Sequence, residues 1–327
     1  MVSKSNSLES GRGMTAGEIF RKYGIVLALI ILIIALTIAT NKFFTPNNLI
    51  TILTQTSINA LLAIGVTFVI LTGGIDLSVG SVLAVSGVVF AMFAQVDDNG
   101  VMMYPALVAV IMGILVGLAF GVFNGVIVAK AKVAPFIVTL GTLTIARGTA
   151  LLLSNGRPVS NMAPTFKAFG SGTLGGIPYL VIVMIIVAVI AMFVLSKTKF
   201  GRYVYAVGGN EEAARASGIP ASNIKMTTYI ISGLICGIAG VLQSCRIVVG
   251  QPNIGQGYEL DAISAVVIGG TALSGGVGKM WGTIVGAFII GVLNNGLDLL
   301  GVSSYWQQVI SGAIIIAAVL LDRTDKK

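Results

Sequence analysis

Residues 178–195 read PYLVIVMIIVAVIAMFVL, an apolar run that contains no charged side chain. About 20 consecutive apolar residues cross the hydrocarbon core of a bilayer as a helix, so this run has nearly the required length. Its apolar residues are continuous, whereas a strand of a membrane barrel alternates apolar and polar positions. The run therefore predicts a membrane-spanning α-helix, and it sets the class of the chain because similar runs recur on both sides of it.

The composition agrees with a membrane protein. Hydrophobic residues make up 56% of the 327 residues, charged residues only 10%, and the mean hydropathy is +0.98. Soluble domains carry about 25% charged residues, so we predict an all-α polytopic membrane protein with about ten transmembrane helices. The candidate spans are 24–40, 52–71, 79–96, 105–128, 135–153, 178–195, 226–249, 259–273, 282–299 and 304–321. The second and eighth are rich in polar residues or glycine, which leaves open whether they are continuous.

The basic residues sort to one side of this predicted topology. With ten spans and an internal N-terminus, fifteen basic residues face the cytoplasm and three, Lys42, Arg157 and Lys167, face outside. Cytoplasmic loops carry an excess of Lys and Arg, so this orientation is favoured over its inverse. It gives a cytoplasmic tail at 1–23, a transmembrane region at 24–321 and a cytoplasmic tail at 322–327. The internal residues are Lys4, Arg12, Arg21, Lys22, Lys130, Lys132, Lys197, Lys199, Arg202, Arg215, Lys225, Lys279, Arg323, Lys326 and Lys327.

One long polar stretch, 196–225, interrupts the membrane region and reads SKTKFGRYVYAVGGNEEAARASGIPASNIK. Its centre predicts a short helix that Asn210 caps, with acidic residues at the positive end of the helix dipole. Glu211 and Arg215 have the i, i+4 spacing of a helical ion pair, and Gly218 ends the helix. A stiff helix on the cytoplasmic side suits the docking of a soluble partner. A connecting loop with one helical turn is the alternative.

Several function classes are excluded by what the chain lacks. It contains no histidine, which removes Ser-His catalysis, His-ligated metals and histidine proton relays. Cys236 and Cys245 lie on one predicted helix, about 13 Å apart, too far for a disulfide. The net charge of +8 does not indicate nucleic-acid binding, because the membrane topology accounts for it. We predict no catalytic residue and no metal site.

The nucleotide-binding motifs are also incomplete. Residues 273–276 read LSGG, like the signature of ABC ATPases, but they lie between two predicted spans with no nucleotide-binding domain around them. Gly278-Lys279 is followed by Met280, so it is not part of a Walker A loop. We therefore predict that this chain binds no cofactor and that any energy for pumping comes from another chain.

Polar side chains within apolar spans are costly, so they indicate a translocation path, a gate or a contact between helices. Asp76 follows a glycine pair and suits either a substrate-facing gate or the cap of the next helix, and Glu259 and Asp261 allow the same two interpretations. The candidate residues of the path or gate are Asp76, Ser78, Asn124, Asn294 and Asn295. The candidate structural polar groups are Arg147, Gln243, Glu259 and Asp261.

The two halves of the chain share a faint internal similarity. GIDLSVGSVLA at 74–84 corresponds to GYELDAISAVV at 257–267, and GLAFGVFNG at 117–125 corresponds to GAFIIGVLNNG at 286–296. Five helices in each half would form pseudo-two-fold repeats, inverted about an axis in the membrane plane, as in many transporters. The spacing of the two matches is imperfect, and chance similarity is the alternative.

Five sequence blocks resemble the membrane subunit of bacterial sugar ABC importers, and the ribose-type permease above all. The resemblance extends from about residue 20 to residue 322. The blocks are LTGGIDLSVGS (71–81), NGVIVAKAKVAPFIVTLGT (124–142), FGRYVYAVGGNEEAARASGI (200–219), GYELDAISAVVIGGTALSGG (257–276) and NNGLDLLGVSSYWQ (294–307).

The resemblance implies a ten-helix fold of the type II ABC importer class in the bacterial inner membrane. It implies a second permease copy or a homologue, an ATPase with two nucleotide domains that carries the ATP and Mg²⁺, and a periplasmic sugar-binding protein that delivers the substrate. It also implies that the helix of the polar loop is the coupling helix, which sits in a groove of the ATPase. Its residues are Asn210, Glu211, Glu212, Ala213, Ala214, Arg215, Ala216, Ser217 and Gly218. We expect its small residues Ala213, Ala214, Ala216 and Ser217 to form one face that seats closely against the partner.

The sequence leaves alternatives for the substrate and for the mechanism. In this family the binding protein sets most of the selectivity, so a nucleoside, autoinducer-2 or a branched-chain amino acid stays open beside ribose and other sugars. A different class is an ion-coupled secondary transporter, which would use Asp76, Glu259 and Asp261 to load and release an ion. That mechanism would leave the docking loop without a purpose.

Overall fold

The computed structural model describes residues 16–324, and the tail residues Lys4, Arg12, Lys326 and Lys327 lie outside this range. Within it the chain forms thirteen α-helices and one two-stranded antiparallel hairpin. The elements are α1 (Ala16–Ala39), α2 (Pro46–Leu71), α3 (Val79–Phe93), α4 (Ala106–Ala129), α5 (Pro135–Leu153), α6 (Pro164–Ser171), β1 (Thr173–Leu174), β2 (Ile177–Pro178), α7 (Tyr179–Lys197), α8 (Lys199–Gly209), α9 (Glu211–Ala216), α10 (Ala221–Ile247), α11 (Tyr258–Ile268), α12 (Met280–Leu299) and α13 (Ser304–Thr324).

The predicted all-helical class is confirmed. Six of the helices described, α2, α4, α5, α7, α10 and α12, are long and apolar enough to cross a membrane. The second predicted span, whose continuity was open, is one unbroken helix of 26 residues.

The eighth predicted span, 259–273, whose continuity was open, is not one continuous helix. Helix α11 has 11 residues, which at about 1.5 Å per residue is about half of the roughly 30 Å hydrocarbon core. It ends because Gly269 packs directly on α12, where an added Cβ would lie 2.6 Å from the backbone nitrogen of Thr283, and because Gly270 has a φ of +81°. The chain then continues as a glycine-rich loop, 269–279, before α12 begins.

Helices α4 and α10 pack with their backbones in direct contact. Gly113, Gly117, Gly121 and Gly125 recur at every fourth position of α4 and form a smooth stripe that faces α10. A Cβ built on Gly117 would lie 2.4 Å from the carbonyl oxygen of Gly233. Small residues at this spacing let two helix backbones come into contact, which agrees with the high glycine content of the chain.

Helix α8 lies in the polar stretch but was not predicted. Its N-terminus is capped by Thr198, whose Oγ1 accepts a hydrogen bond from the backbone N–H of Gly201 at 3.1 Å. Gly201, Val204 and Val207, spaced three residues apart, form its buried face. The cap and this spacing were the sequence signals for the helix, and the surrounding glycines and charged residues obscured them.

An exposed short helix, a buried polar network and a polar cavity

Helix α9 occupies the centre of the polar stretch, as predicted. The side-chain oxygen of Asn210 accepts a hydrogen bond from the backbone N–H of Ala213 at 2.9 Å, which confirms the predicted N-cap. The chain leaves the helix at Gly218, whose φ of +82° favours glycine. The helix proper has six residues, Glu211 to Ala216, and therefore presents less than two turns to a partner.

Glu211 of α9 makes two ion pairs, one within the helix and one that holds it to α10. The carboxylate of Glu211 accepts a hydrogen bond from Arg215 within the helix, at 2.5 Å, and another from Lys225 of α10. The hydrogen bond from Lys225, followed by that from Arg215, lowers the pKa of Glu211. A lowered carboxyl pKa means that these contacts stabilise the fold at neutral pH and are lost only as the pH falls through that pKa. Helix α9 is thus fixed to the bundle before any partner binds.

The face of α9 that meets the bundle differs from the one expected. Ala214, predicted as part of a partner-facing surface of small residues, is 5% exposed and packs with the main hydrophobic core of this chain. A helix with a buried side must present its other residues outward, and Ala213, Ala216 and Ser217 are exposed together with Glu212. The free surface of α9 is therefore formed by these four residues and Arg215.

The glycine-rich loop 269–279 lies against α8, and the LSGG residues belong to it. The backbone N–H of Gly276 donates to the carbonyl oxygen of Leu71, at 3.0 Å, and the hydroxyl of Tyr205 donates to the carbonyl oxygen of Gly278, also at 3.0 Å. A Cβ on Gly208 of α8 would overlap the backbone of Leu71 and lie 2.5 Å from Gly276 N. The loop thus joins α8 to the short helix α11.

A fully buried hydrogen-bond network surrounds Asp76. Its carboxylate accepts from the hydroxyl of Ser78 at 2.6 Å, from the backbone N–H of Ser78 at 3.0 Å and from the hydroxyl of Ser232 at 3.0 Å. Asn124 donates to Ser78 Oγ at 3.0 Å and accepts from Thr142 Oγ1 at 2.6 Å. The network joins the segment before α3 to α4, α5 and α10. Asp76, Ser78 and Asn124 are 1–3% exposed, a geometry that suits a contact between helices, and their role in a path or gate stays a prediction.

Asp76→Ala is expected to destabilise the protein more than Asp97→Ala. The first change removes the acceptor of two buried hydroxyls, and an unpaired buried polar group costs about 1–3 kcal/mol. Asp97 lies in an exposed turn, where its side chain accepts from the backbone N–H groups of Asn99 and Val101. Thermal unfolding of the two purified variants in one detergent measures the difference, and equal unfolding temperatures would contradict this account of the network.

The neighbouring residues Asn294 and Asn295 have different surroundings. Asn295 is 5% exposed and exchanges two hydrogen bonds with Asn48 of α2, at 3.0 and 2.9 Å, so it joins α12 to α2. Asn294 points to a cavity between α2, α11, α12 and α13, where its Nδ2 lies 3.5 Å from Asp261 Oδ2. Successive residues of a helix point about 100° apart, which separates the two. Their roles in transport stay predictions.

The remaining candidate polar groups are dispersed. Arg147 donates to the carbonyl oxygens of Pro252 and Ile254, at 2.5 and 2.7 Å, so it binds the loop before α11 instead of a helix end. The backbone N–H of Gly257 donates to Glu259, which opens α11. The amide of Gln243 is buried, and its oxygen has no hydrogen-bond partner in the part of the chain that the structure describes. Residues 16–324 hold no cluster of three or more metal-binding side chains.

The chain is similar to known transport permeases over nearly its whole length. The chain is 48% identical to the ribose import permease protein of Escherichia coli K12, over 91% of this chain and 92% of that protein. It is 47% identical to the ribose import permease protein of Bacillus subtilis, over 93% and 94% of the two chains. It is 42% identical to the D-allose transport system permease protein of Escherichia coli K12, over 94% and 93%.

A family model matches most of the chain, whereas no solved structure gives a significant match. Residues 48–319 match the family model described as branched-chain amino acid transport system / permease component, and this segment includes all but the first two residues of α2, together with α9, the loop 269–279 and the cavity. The chain therefore belongs to the branched-chain amino acid transport system / permease component family of membrane proteins.

Proposed function

We propose that this protein is the permease subunit of an ATP-driven importer and carries ribose or a similar monosaccharide across the bacterial inner membrane. Two relatives that share almost half of its residues over nearly the whole chain are ribose import permeases, and a third transports D-allose. The observation that carries the proposal is the exposed face of α9. The ion pair of Glu211 with Lys225 holds this helix on the bundle, and no other part of the described chain covers its exposed residues, which leaves them free to contact a partner.

The partners follow from this function. A soluble ATPase with two nucleotide domains docks on α9 and holds the ATP and Mg²⁺, because no complete nucleotide motif occurs in this sequence. A periplasmic sugar-binding protein delivers the substrate on the opposite side. A second copy of the chain, or a homologue, completes the transporter.

Movement at the ATPase reaches the membrane through a short chain of contacts. Helix α9 follows α8 directly, and α8 meets the loop 269–279 through Tyr205 and Gly208. That loop directly follows α11 in the chain. Helix α11 is too short to span the membrane by itself, so it is the element of the bundle best suited to shift. This route supports coupling from α9 to the interior of the membrane.

Ten crossings with both termini in the cytoplasm fit the arrangement of charges. Lys130 and Lys132, which follow α4, lie beside Arg215 and Ser222 around one surface depression, so basic residues from two separate loops meet at the α9 end of the bundle. The positive-inside rule places that end in the cytoplasm. In this topology α11 and the loop 269–279 together form the eighth crossing. The five-helix repeats remain part of the proposal.

Uptake by cells that express or lack the chain tests the substrate class. Ribose, allose, a nucleoside and leucine are supplied in labelled form, and we expect the chain to raise uptake of a monosaccharide only. If the chain raised the uptake of the nucleoside or of leucine and of neither sugar, the protein would be a permease for that compound instead of a sugar permease.

A further inference from the structure

A cavity of about 660 Å³ lies between α2, α11, α12 and α13, and its wall is rich in amide and carboxylate groups. Protein sites for small molecules range from about 300 to 1,000 Å³, so the size is suitable for a ligand. The polar side chains in its wall include Asn59, Asp261, Asn294, Asp298, Gln307 and Gln308.

We propose that this cavity binds the monosaccharide during its passage through the permease, an inference that rests on the proposed transport function. A sugar carries hydroxyl groups over its whole surface, each of which donates and accepts hydrogen bonds. Amide side chains supply both donors and acceptors, and the carboxylates of Asp261 and Asp298 supply further acceptors. Among the residues that the structure describes, no Lys or Arg lines the cavity, which favours a neutral polyol over an anionic ligand.

The hydrogen-bonding capacity of the wall is only partly used within the chain. The amide oxygen of Asn294 is buried and has no partner among the residues that the structure describes. Its amide nitrogen makes a single long contact, 3.5 Å to Asp261. In contrast, Asn295 has both amide groups paired with Asn48. An unpaired buried amide beside a polar cavity is costly unless a guest completes its hydrogen bonds, which a sugar hydroxyl would do.

The depth of the cavity suits a transit site. Asn59 follows the first residue of α2, Pro46, by 13 positions, so it lies about 20 Å along the helix from that end. Ser304 and Gln307 lie in the first turn of α13. The cavity therefore extends from one end of the bundle to about the middle of α2. In the proposed topology the open end is periplasmic, where the binding protein would release the sugar.

One wall of the cavity belongs to the helix that the coupling route reaches. Tyr258, Leu260 and Asp261 of α11 line the cavity, and α11 leads into the loop 269–279 that α8 contacts. A shift of α11 driven from α9 would change the shape of the site and weaken its hold on the sugar.

Modification of a cysteine at position 308 tests the site without disturbing folding. Gln308 is exposed at the rim of the cavity, and both native cysteines are buried, so Gln308→Cys offers one reactive thiol among residues 16–324. The assembled transporter, with its ATPase and binding protein, is reconstituted and treated with a small charged thiol reagent. We expect ribose uptake to fall about tenfold after treatment, because the attached group would remove one or two hydrogen bonds between the wall and the sugar. Free ribose is expected to slow the labelling.

Asn47→Cys is the matched control, because Asn47 is an exposed amide on α2 outside the cavity. Its modification should leave uptake unchanged, and ribose should not slow its labelling. Unchanged uptake and unprotected labelling at position 308, in a transporter that imports ribose before treatment, would overturn the cavity assignment and leave the transport function intact. Loss of ribose uptake by Gln308→Cys itself, beside an unaltered transporter that imports ribose, would support the site. Absence of ribose uptake by the unaltered reconstituted transporter would overturn the proposed function and this inference with it.

Discussion

Gly233→Val is expected to prevent the protein from accumulating in a folded form in the membrane. A Cβ at this position of α10 would lie 2.4 Å from the carbonyl oxygen of Gly117 and 2.5 Å from the Cα of Gly121. These are backbone atoms of α4, so a rotamer change cannot relieve the overlap, and the helices must separate. Overpacking of a well-packed interior costs about 1–3 kcal/mol, and a clash with backbone lies at or above the upper end of that range.

Gly141→Val on α5 is the matched control, because a Cβ there meets no atom within 4 Å. Membrane abundance and the unfolding temperature in detergent are compared for the two variants. The control is expected to resemble the unaltered protein, whereas Gly233→Val is expected to be nearly absent. Equal abundance and equal unfolding temperatures would show that α4 and α10 are not in the contact described here.

Ala216→Trp is expected to leave the permease folded and to remove its association with the ATPase. Ala216 is exposed on α9, so a bulky side chain there meets the partner and not the bundle. Each 1.4 kcal/mol lost from docking lowers the affinity about tenfold, and a misfitted indole is expected to cost at least that much. Co-purification of the ATPase and uptake of labelled ribose should therefore fall together, at unchanged membrane abundance.

Two further variants separate this effect from general damage. Ala214→Trp places the same side chain on the buried face of α9, and it is expected to lower the stability of the permease itself. Ala168→Trp makes the same change on α6, another short helix with an exposed alanine, and it is expected to retain the ATPase. Retention of the ATPase by Ala216→Trp would remove the docking role from α9.

Local chemistry explains which parts of the coupling region could be predicted from the sequence. The cap by Asn210, the ion pair of Glu211 with Arg215 and the stop at Gly218 each depend on residues within four positions of one another. The orientation of α9 depends on Lys225 and on the core beneath Ala214, which lie on other elements. A helix of six residues has too little periodicity to reveal that face, and so Ala214 was assigned to the wrong side.

The membrane region shows the same division between local and tertiary causes. Apolar length correctly located most of the long helices, because length and hydropathy are local properties. The end of α11 at Ile268 depends on the packing of Gly269 against α12, so the sequence left open whether the eighth span, 259–273, is one helix. The different surroundings of Asn294 and Asn295 depend on the rotation of α12 about its axis, which their shared sequence context does not reveal.

Uptake into proteoliposomes tests the central claim that this chain is the permease of an ATP-driven sugar importer. The chain is reconstituted with the ATPase that co-purifies with it, ATP and Mg²⁺ are supplied on the side of α9, and the sugar-binding protein and labelled ribose are supplied on the other. The account predicts ribose uptake that requires ATP hydrolysis and persists when an ionophore collapses all ion gradients. Uptake that proceeds without ATP and stops when the ionophore is added would contradict it and would identify an ion-coupled transporter instead.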